Sequence, residues 1–327
     1  QMSQFGTTNG QVLGHDGVRF KQERVDMLYA CVHSRIKLLV DGRVENDPIK
    51  VFIKQEPHKV AKLRDKRFRI ISAVSLVDTM IDRILFGWVM DGVLSNTLKT
   101  PTAIGWVPLN GGHKIFRKRF GKRTMCCDKS AWDWTVQYWL VDAWEQVLQR
   151  LCFAPEWWRR AVRFRFVSLF REAVFRFSDG STIRQEGTGI MKSGCYLTLF
   201  LNSLGQSLLH YVVQHYLGLD PLENEPTSMG DDTVQNSFES GEYESIMSML
   251  GPVLKVEHFR EGTVEFAGFY IDEAKSWPVY WKKHVWQLAH LNPTVADETL
   301  DCYQLLYAHE PNMLALIHQE MWRRCPH

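Results

Sequence analysis

Two kinds of apolar pattern alternate along the first third of the chain. Apolar residues fall on one helical face over residues 21–41 and again over residues 77–88, which predicts two amphipathic helices. Between them, short apolar runs at 49–54 and 68–74 lie on either side of a basic loop and predict two strands. Residues 92–112 are rich in glycine and proline and predict a loop.

The middle of the chain predicts a second mixture of elements. A short strand at 123–127 ends at Asp128, and residues 132–151 have the pattern of a helix. Ser178-Asp179-Gly180-Ser181 lies between two short apolar runs and indicates a β-hairpin. Residues 194–219 carry no formal charge but place polar side chains at helical spacing, so they predict a buried amphipathic helix rather than a membrane span.

A Gly-Asp-Asp tripeptide, residues 230–232, stands out in the last third. Small and β-compatible residues flank it, which predicts two short strands joined by a tight turn. Glycine accepts the positive φ that such a turn requires. Two adjacent carboxylates repel, so one would take up a proton unless a cation held both ionised, and oxygen ligands suit Mg²⁺ or Mn²⁺. The alternative is an ordinary solvated turn.

The segments after this tripeptide complete the predicted architecture. They predict a helix at 243–250, strands at 253–257 and 264–271, and a helical tail from residue 284. No internal repeat interrupts the pattern. The mixture of helices with hairpin-connected strands predicts an α+β fold.

The composition is that of a globular protein whose charge is segregated along the chain. Its 327 residues are 45% hydrophobic and 23% charged, with a formal net charge of +2, which excludes wholesale disorder and allows two or three subdomains. Basic residues concentrate at 54–69, 114–123 and 159–176, and acidic residues at 220–245, which predicts a basic groove beside an acidic site. Seven cysteines without CxxC pairs favour a reducing compartment, and the polar, glycine-rich N-terminus shows no signal-peptide pattern.

Two further patterns give the Gly-Asp-Asp turn a chemical context. Asp128 follows a predicted strand, and Asp133 lies five positions further on. Ser193-Gly194 leads into a predicted helix that places Thr198 and Asn202 one turn apart on a shared face. Each pattern alone has an ordinary explanation, a surface acid or a polar helix contact. Their order resembles motifs A, B and C of viral RNA-dependent RNA polymerases.

The resemblance extends on both sides of these motifs. Lys54-x-Glu56 and, fifteen positions after the lysine, Arg69-Ile70-Ile71 resemble the basic motif F of the fingers. Lys255 resembles the motif D lysine, and residues 265–269 resemble the motif E hairpin, although Ala267-Gly268 stand where close relatives tend to carry Cys-Ser. The stretch 52–87 is most similar to the polymerases of sobemovirus- and polerovirus-like positive-strand RNA viruses.

This resemblance implies a right-hand polymerase with an antiparallel palm sheet backed by helices. We expect the N-terminal part of the fingers at 1–122, the palm with motif A at 123–154, a fingers insertion at 155–192, the palm with motifs B to E at 193–271, and a short helical thumb at 272–327.

The resemblance also implies the catalytic centre. Two Mg²⁺ ions, or Mn²⁺, would be bridged by Asp128 and Asp231, with Asp232 as a subsidiary ligand. Lys255 would be the general acid for the departing pyrophosphate, its alternative being an ordinary surface lysine.

The nucleotide site follows from the same resemblance. Lys54 and Arg69 would grip the triphosphate, and Arg67 would either help them or face the template. The residues implied in binding the nucleotide and its ribose are Asp133, Ser193, Gly194, Thr198 and Asn202. Of these, Asp133, Ser193, Thr198 and Asn202 would hydrogen-bond the 2′-hydroxyl.

The implied partners are an RNA template with its nascent strand, ribonucleoside triphosphates and other viral replication proteins, in replication complexes on membranes of the host cytoplasm. Initiation with a genome-linked protein primer and de novo initiation both remain open. A reverse transcriptase is disfavoured because such enzymes usually carry a bulky aromatic near Asp133 and an aromatic-x-Asp-Asp turn. A catalytically inactive RNA-binding scaffold is disfavoured because all three acidic residues are retained.

Overall fold

The computed structural model describes residues 2–58, 60–151, 153–237, 241–259 and 261–324. Its fold is α+β, as predicted, and its strands pair mainly in antiparallel fashion. The chain divides into a first unit, Gln1–Gly92 with Ala131–Leu201, and a second unit, Val93–Ser130 with Asn202–His327.

The helices and strands are numbered in chain order. The helices are α1 (Asn9–Leu13), α2 (Gln22–Val40), α3 (Val60–Arg64), α4 (Leu76–Ser95), α5 (Gly112–Arg117), α6 (Trp132–Thr135), α7 (Tyr138–Leu151), α8 (Glu156–Phe170), α9 (Thr198–Leu217), α10 (Glu242–Met249), α11 (Trp281–Ala289), α12 (Ala296–Leu306) and α13 (Pro311–Arg324). The strands are β1 (Ile49–Ile53), β2 (Ile70–Ala73), β3 (Thr124–Ser130), β4 (Val174–Arg176), β5 (Thr182–Arg184), β6 (Thr227–Met229), β7 (Asp232–Asn236), β8 (Val253–Phe259), β9 (Val264–Phe266), β10 (Phe269–Ile271) and β11 (Ser276–Pro278).

A sheet of order β2-β1-β4-β5 forms the β-structure of the first unit. The two strands predicted on either side of the basic loop are β1 and β2, which pair antiparallel up to Ile53↔Ile70. Ile49 and Phe175 pair across β1 and β4 and bury their side chains in one apolar cluster. Lys59, within the basic run between β1 and β2, lies outside the described residues.

A buried ion network joins three helices of the first unit. The guanidinium of Arg165 on α8 binds both carboxylate oxygens of Asp82 on α4, at 2.6 and 3.1 Å. Asp78, one turn before Asp82, lies 3.5 Å from Arg165 and 3.3 Å from Arg35 on α2. Charges this deeply buried are costly unless they are paired, and here each carboxylate has a guanidinium partner that links the helices.

The second unit contains a sheet of order β6-β7-β3-β8. Strand β3 is central and antiparallel to both neighbours. Cys126 of β3 and its partner Val234 on β7 join a core with Phe266. The prediction that this strand ends at Asp128 holds for its pairing with β7 but is wrong for its pairing with β8. Pairing with β7 ends at Cys127↔Thr233, but pairing with β8 continues through Asp128↔Lys255 to Ser130↔Val253.

The C-terminal part of the second unit adds a smaller sheet and a helical cluster. The predicted strand region 264–271 is a hairpin, β9 and β10, that turns at Ala267-Gly268 with φ of 50° and 79°. Helices α11 to α13 bury Leu288, Tyr303 and Ile317 together. Among the described residues, no helix has both the length and the apolarity needed to cross a bilayer.

Three predicted boundaries differ from the structure because the spacing of apolar residues does not show where a turn interrupts or ends a helix. The helix predicted at 132–151 is broken into α6 and α7 at Val136, whose ψ of 119° is extended. The predicted loop at 92–112 is shortened, since α4 runs to Ser95 and α5 begins at Gly112. The uncharged helix begins at Thr198, not at residue 194.

Candidate active site

The Gly-Asp-Asp turn closes the hairpin of β6 and β7, as predicted. Met229 pairs with Asp232, which leaves Gly230 and Asp231 as the two central residues of the turn. Gly230 has a φ of 70°, a conformation that residues other than glycine rarely adopt. The glycine therefore allows the chain to reverse between the two strands and leaves the two aspartates side by side.

Asp128 and Asp232 lie on the same face of the sheet in the second unit. The last pair between β3 and β7 is Cys127↔Thr233, so the next residue on β3 is Asp128 and the residue opposite it is Asp232. Because side chains alternate between faces, these two residues share the face opposite to that of Cys127 and Thr233. The Asp232 Oδ2 accepts a hydrogen bond of 2.7 Å from the backbone N–H of Ala267, in the turn between β9 and β10.

The environment of Asp232 favours its neutral form. Burial is the main cause that raises the pKa of Asp232 to about 7; the hydrogen bond from Ala267 opposes the shift, and the charge of Asp231 adds to it. A cation between these carboxylates would reverse this balance by stabilising both ionised forms.

The carboxylate donor set fits a hard divalent cation, but the acids are not gathered into a finished site. Asp128, Asp231 and Asp232 offer the oxygen ligands that Mg²⁺ prefers. Within the described ranges, no three Asp, Glu, His or Cys side chains form a group that could hold a metal ion.

Lys129 is a site residue that the sequence analysis missed. Its side chain is only 3% exposed, on the face of β3 opposite to that of Asp128. The ammonium donates to the Thr233 Oγ1 at 3.1 Å and to the Cys127 carbonyl at 3.3 Å, and it lies 3.5 Å from the Asp231 carbonyl. Burial lowers the pKa of Lys129, while Cys127 and the nearby aspartates oppose the shift. The lysine thus connects β3 to the start of β7 directly behind the acidic face.

Ser203 on α9 is a second residue that the sequence analysis missed. Its Oγ accepts a hydrogen bond of 2.8 Å from the backbone N–H of Gly230, and its carbonyl accepts one of 3.2 Å from the Ser228 Oγ. Both bonds fix the hairpin against the helix. The available signal was a serine directly after Asn202 on the predicted helix, which gave no indication of its partner 27 residues away.

Lys255 lies next to the acidic face. It pairs with Asp128 across β3 and β8, so the two side chains share one face of the sheet. Its ammonium is largely exposed and lies 3.9 Å from the Glu257 carboxylate. An exposed ammonium beside carboxylates is free to reorient toward an anionic group of a substrate.

In the first unit, the two cations predicted to bind triphosphate are held next to each other. Lys54 and Arg69 continue the β1–β2 ladder, with the Lys54 N–H donating to the Arg69 carbonyl at 2.8 Å. The carboxylate of Glu56 lies 3.4 Å from the Lys54 ammonium and 3.7 Å from the Arg69 guanidinium. Arg67 instead pairs with Asp65 at 3.0 Å and does not join this group.

The loop with Ser193 and Gly194 is docked onto β2 within the same unit. The Ser193 Oγ accepts from the Ser72 N–H at 3.0 Å, and the Ser72 Oγ accepts from the Ser193 N–H at 2.9 Å. The Gly194 N–H donates to the Ser72 carbonyl at 2.9 Å. A Cβ on residue 194 would lie 2.5 Å from that carbonyl oxygen, so only glycine fits here.

A buried lysine fills the interior of this loop. Lys192 is 0% exposed, and its ammonium donates to the Ile190 carbonyl at 2.7 Å and to the Gln185 Oε1. It also lies 5.5 and 5.4 Å from the ring centroids of Phe170 and Phe175. Burial lowers the pKa of Lys192 to about 7.

The remaining ribose candidates lie on helices, as predicted. Thr198 begins α9, and its Oγ1 donates to the Lys192 carbonyl at 2.6 Å, so this hydroxyl fixes the loop that precedes the helix. Asn202 is one turn further along α9 and is buried. Asp133 lies in the first turn of α6, and its carbonyl accepts from the Met191 N–H at 2.7 Å.

Comparison with known proteins shows the family of this chain. The sequence profile of the family described as viral RNA-dependent RNA polymerase matches residues 40–236. The chain belongs to this family. The matched range includes Asp128, the Ser193-Gly194 loop and the Gly-Asp-Asp turn, whereas Lys255 and the β9–β10 hairpin lie beyond it.

Individual relatives of this polymerase family come from several RNA viruses. Replicase polyprotein P2AB of Southern cowpea mosaic virus is 32% identical over 259 residues, which cover 73% of this chain and 25% of that polyprotein. Protein P1-P2 of Potato leafroll virus is 28% identical over 304 residues, covering 84% of this chain and 27% of that protein. The RNA-directed RNA polymerase of Mushroom bacilliform virus is 28% identical over 278 residues, covering 80% of this chain and 64% of that protein. The resemblance to sobemovirus- and polerovirus-like polymerases is therefore confirmed, and the chain spans only about a quarter of the first two of these proteins.

Proposed function

We propose that this chain carries out template-directed RNA synthesis from ribonucleoside triphosphates. The observation that supports this most directly is the register of β3 and β7, which brings Asp128 and the Gly-Asp-Asp turn to the same end of one sheet. Nucleotidyl transfer needs little covalent participation from the protein, and it depends on positioning and on neutralisation of phosphate charge. Carboxylates on adjacent strands meet the first requirement of such a site.

The acidic face of the second unit would hold the catalytic cations. Two divalent ions, when bound there, would activate the attacking 3′-hydroxyl and stabilise the departing pyrophosphate. Asp128 and Asp231 would be the shared ligands, and Asp232, fixed by Ala267, would be the subsidiary one. The Lys255 Nζ would donate a proton to the pyrophosphate as it leaves.

The first unit would bind the triphosphate of the nucleotide. Lys54 and Arg69, now held by Glu56, would exchange that carboxylate for the triphosphate, whose greater negative charge competes for the same cations. Arg67 would serve the template instead, because it lies outside this pair. Ser193, with Gly194 in its fixed loop, and Asp133, Thr198 and Asn202 on α6 and α9 would read the 2′-hydroxyl, which distinguishes RNA from DNA precursors. An RNA template with its nascent strand and a primer, whether nucleic acid or genome-linked protein, would complete the assembly.

A primer-extension assay with the purified chain tests this proposal. We expect incorporation of ribonucleotides on an RNA template that requires Mg²⁺ or Mn²⁺ and is abolished by chelation. Asp231→Ala should reduce incorporation by at least about a hundredfold, since it removes a charge that acts in the transition state. The matched control is Asp301→Ala, which removes an exposed acid on α12. Full activity of Asp231→Ala would show that the metal ligands are wrongly assigned, and RNA retention without any incorporation would favour an inactive scaffold.

A further inference from the structure

Ser72 and Ser193 form a reciprocal pair that the proposed reaction does not by itself explain. Each hydroxyl oxygen accepts the backbone N–H of the other residue, at 3.0 and 2.9 Å, and the two Oγ atoms lie 3.2 Å apart. Ser72 is only 7% exposed, so its hydroxyl has little access to water. Two serines 121 positions apart thus make three mutual hydrogen bonds.

A count of protons shows what this pair leaves available. A serine hydroxyl donates one proton and accepts at two lone pairs. One lone pair of the Ser193 Oγ is occupied by the Ser72 N–H, and a single proton can lie between the two Oγ atoms. If Ser72 supplies that proton, both lone pairs of the Ser193 Oγ are occupied, and the Ser193 hydroxyl proton must point elsewhere as a donor. If Ser193 supplies it, Ser193 keeps one directed acceptor site.

In either case the hydroxyl of Ser193 presents one defined direction for a further hydrogen bond rather than a freely rotating group. A hydroxyl that is oriented before its partner arrives loses less entropy on binding and discriminates better against a partner that lacks the matching group.

Strand β2 also brings the two ends of a nucleotide site into one rigid piece. Ser72 lies on β2, three residues after Arg69, which directly precedes the strand, and the Ser72 carbonyl accepts from the Gly194 N–H at 2.9 Å. The contact is so close that a Cβ on residue 194 would overlap the carbonyl oxygen. Movement of β2 when a phosphate engages Arg69 would therefore be transmitted to the Ser193 loop.

We infer that Ser72 is a positioning residue for sugar selection, which orients the Ser193 hydroxyl and connects it to the triphosphate-binding strand. The inference rests on the proposed polymerase function. It adds a residue that contacts no substrate itself and acts through Ser193.

A double-mutant cycle on Ser72 and Ser193 tests this role. For Ser72→Ala we expect the KM for ribonucleotides to rise and the preference for ribo- over deoxynucleotides to fall, each about 3- to 10-fold, the equivalent of one lost hydrogen bond. The kcat at saturating ribonucleotide should change less than about threefold, because the reacting groups are untouched. In the Ser193→Ala background, Ser72→Ala should not lower the preference further.

Control variants separate this role from a structural one. Ser248→Ala, at an exposed position on α10, should leave KM and sugar preference unchanged. Ser72→Cys keeps the side-chain volume with weaker hydrogen bonding and should give the same direction of change if the alanine variant does not fold.

The possible outcomes distinguish the proposed polymerase activity from the positioning role of Ser72. A wild-type chain without incorporation would overturn the proposed function and this inference together. A working wild type in which Ser72→Ala and Ser72→Cys alter melting temperature but not sugar preference would overturn this inference alone, as would additive effects of Ser72→Ala and Ser193→Ala.

Discussion

The hydrogen bond between Ser203 and Gly230 allows a quantitative test of how the Gly-Asp-Asp turn is held. The Ser203 Oγ is buried at 1% exposure and accepts the Gly230 N–H at 2.8 Å. Ser203→Ala removes this acceptor and leaves a backbone donor in the interior without its partner. The bond between the Ser203 carbonyl and the Ser228 Oγ does not depend on the side chain and should persist.

The expected magnitude follows from the cost of an unsatisfied buried group. Loss of the partner of a buried N–H costs about 1–3 kcal/mol in the free energy of unfolding. In a unit of this size that corresponds to a fall in melting temperature of roughly 2–10 °C. Because the turn also carries Asp231, a displacement of about 1 Å could reduce kcat by about a hundredfold. The KM should hardly change, because Ser203 lies behind the hairpin and binds no nucleotide.

Thermal unfolding and steady-state primer extension measure the two effects separately. The matched control is Ser207→Ala, one helical turn further along α9, where a serine of 6% exposure interacts with Tyr211 rather than with the turn. We expect Ser207→Ala to lower the melting temperature by a similar amount with little loss of kcat. Full kcat in Ser203→Ala, or a loss of kcat in proportion to lost stability in both variants, would show that Ser203 does not position the turn.

Three further predictions concern other parts of the molecule. Asp133→Ala and Asn202→Ala should each relax discrimination against deoxynucleotides in single-nucleotide incorporation assays, and unchanged selectivity in both would remove their role at the 2′-hydroxyl. Arg165→Met should lower the free energy of unfolding, measured with denaturant, by about 3–5 kcal/mol because it strands the buried carboxylate of Asp82, and adding Asp82→Asn should recover part of the loss. The pKa of buried Lys192 is about 7, against 10.5 for an exposed lysine. Between pH 7 and pH 10.5 the unfolded chain therefore binds more protons at this residue than the folded chain does. The free energy of unfolding should rise with pH across this window by up to roughly 5 kcal/mol. Lys192→Met should flatten that rise in thermal unfolding measured at a series of pH values, and an unchanged slope would contradict the assignment.

Elements with a strong local signal could be predicted from the sequence. The helix α2, the strands β1 and β2, the hairpin of β4 and β5 and the Gly-Asp-Asp hairpin all follow from periodicity and turn residues. Their causes lie within a few residues, in apolar spacing and in the positive φ that Gly230 adopts. Local patterns failed where a boundary depended on a distant partner, as at Asp128, which stays within β3 because β8 extends beside it.

The candidate site likewise combines features that the sequence predicts with features that depend on how distant segments pack. The order of the acidic and polar motifs, and with it membership of the polymerase family, follows from the sequence alone, because motif residues and their spacing are local properties. Three features emerge only from the packing of distant segments: Lys129 is a buried connection between strands, Glu56 holds Lys54 and Arg69 together, and Ser72 and Ser203 fix the two loops. Burial and hydrogen-bond partners depend on which distant segments pack together, so a lysine or serine in the sequence carries no mark of the neighbour that gives it a role.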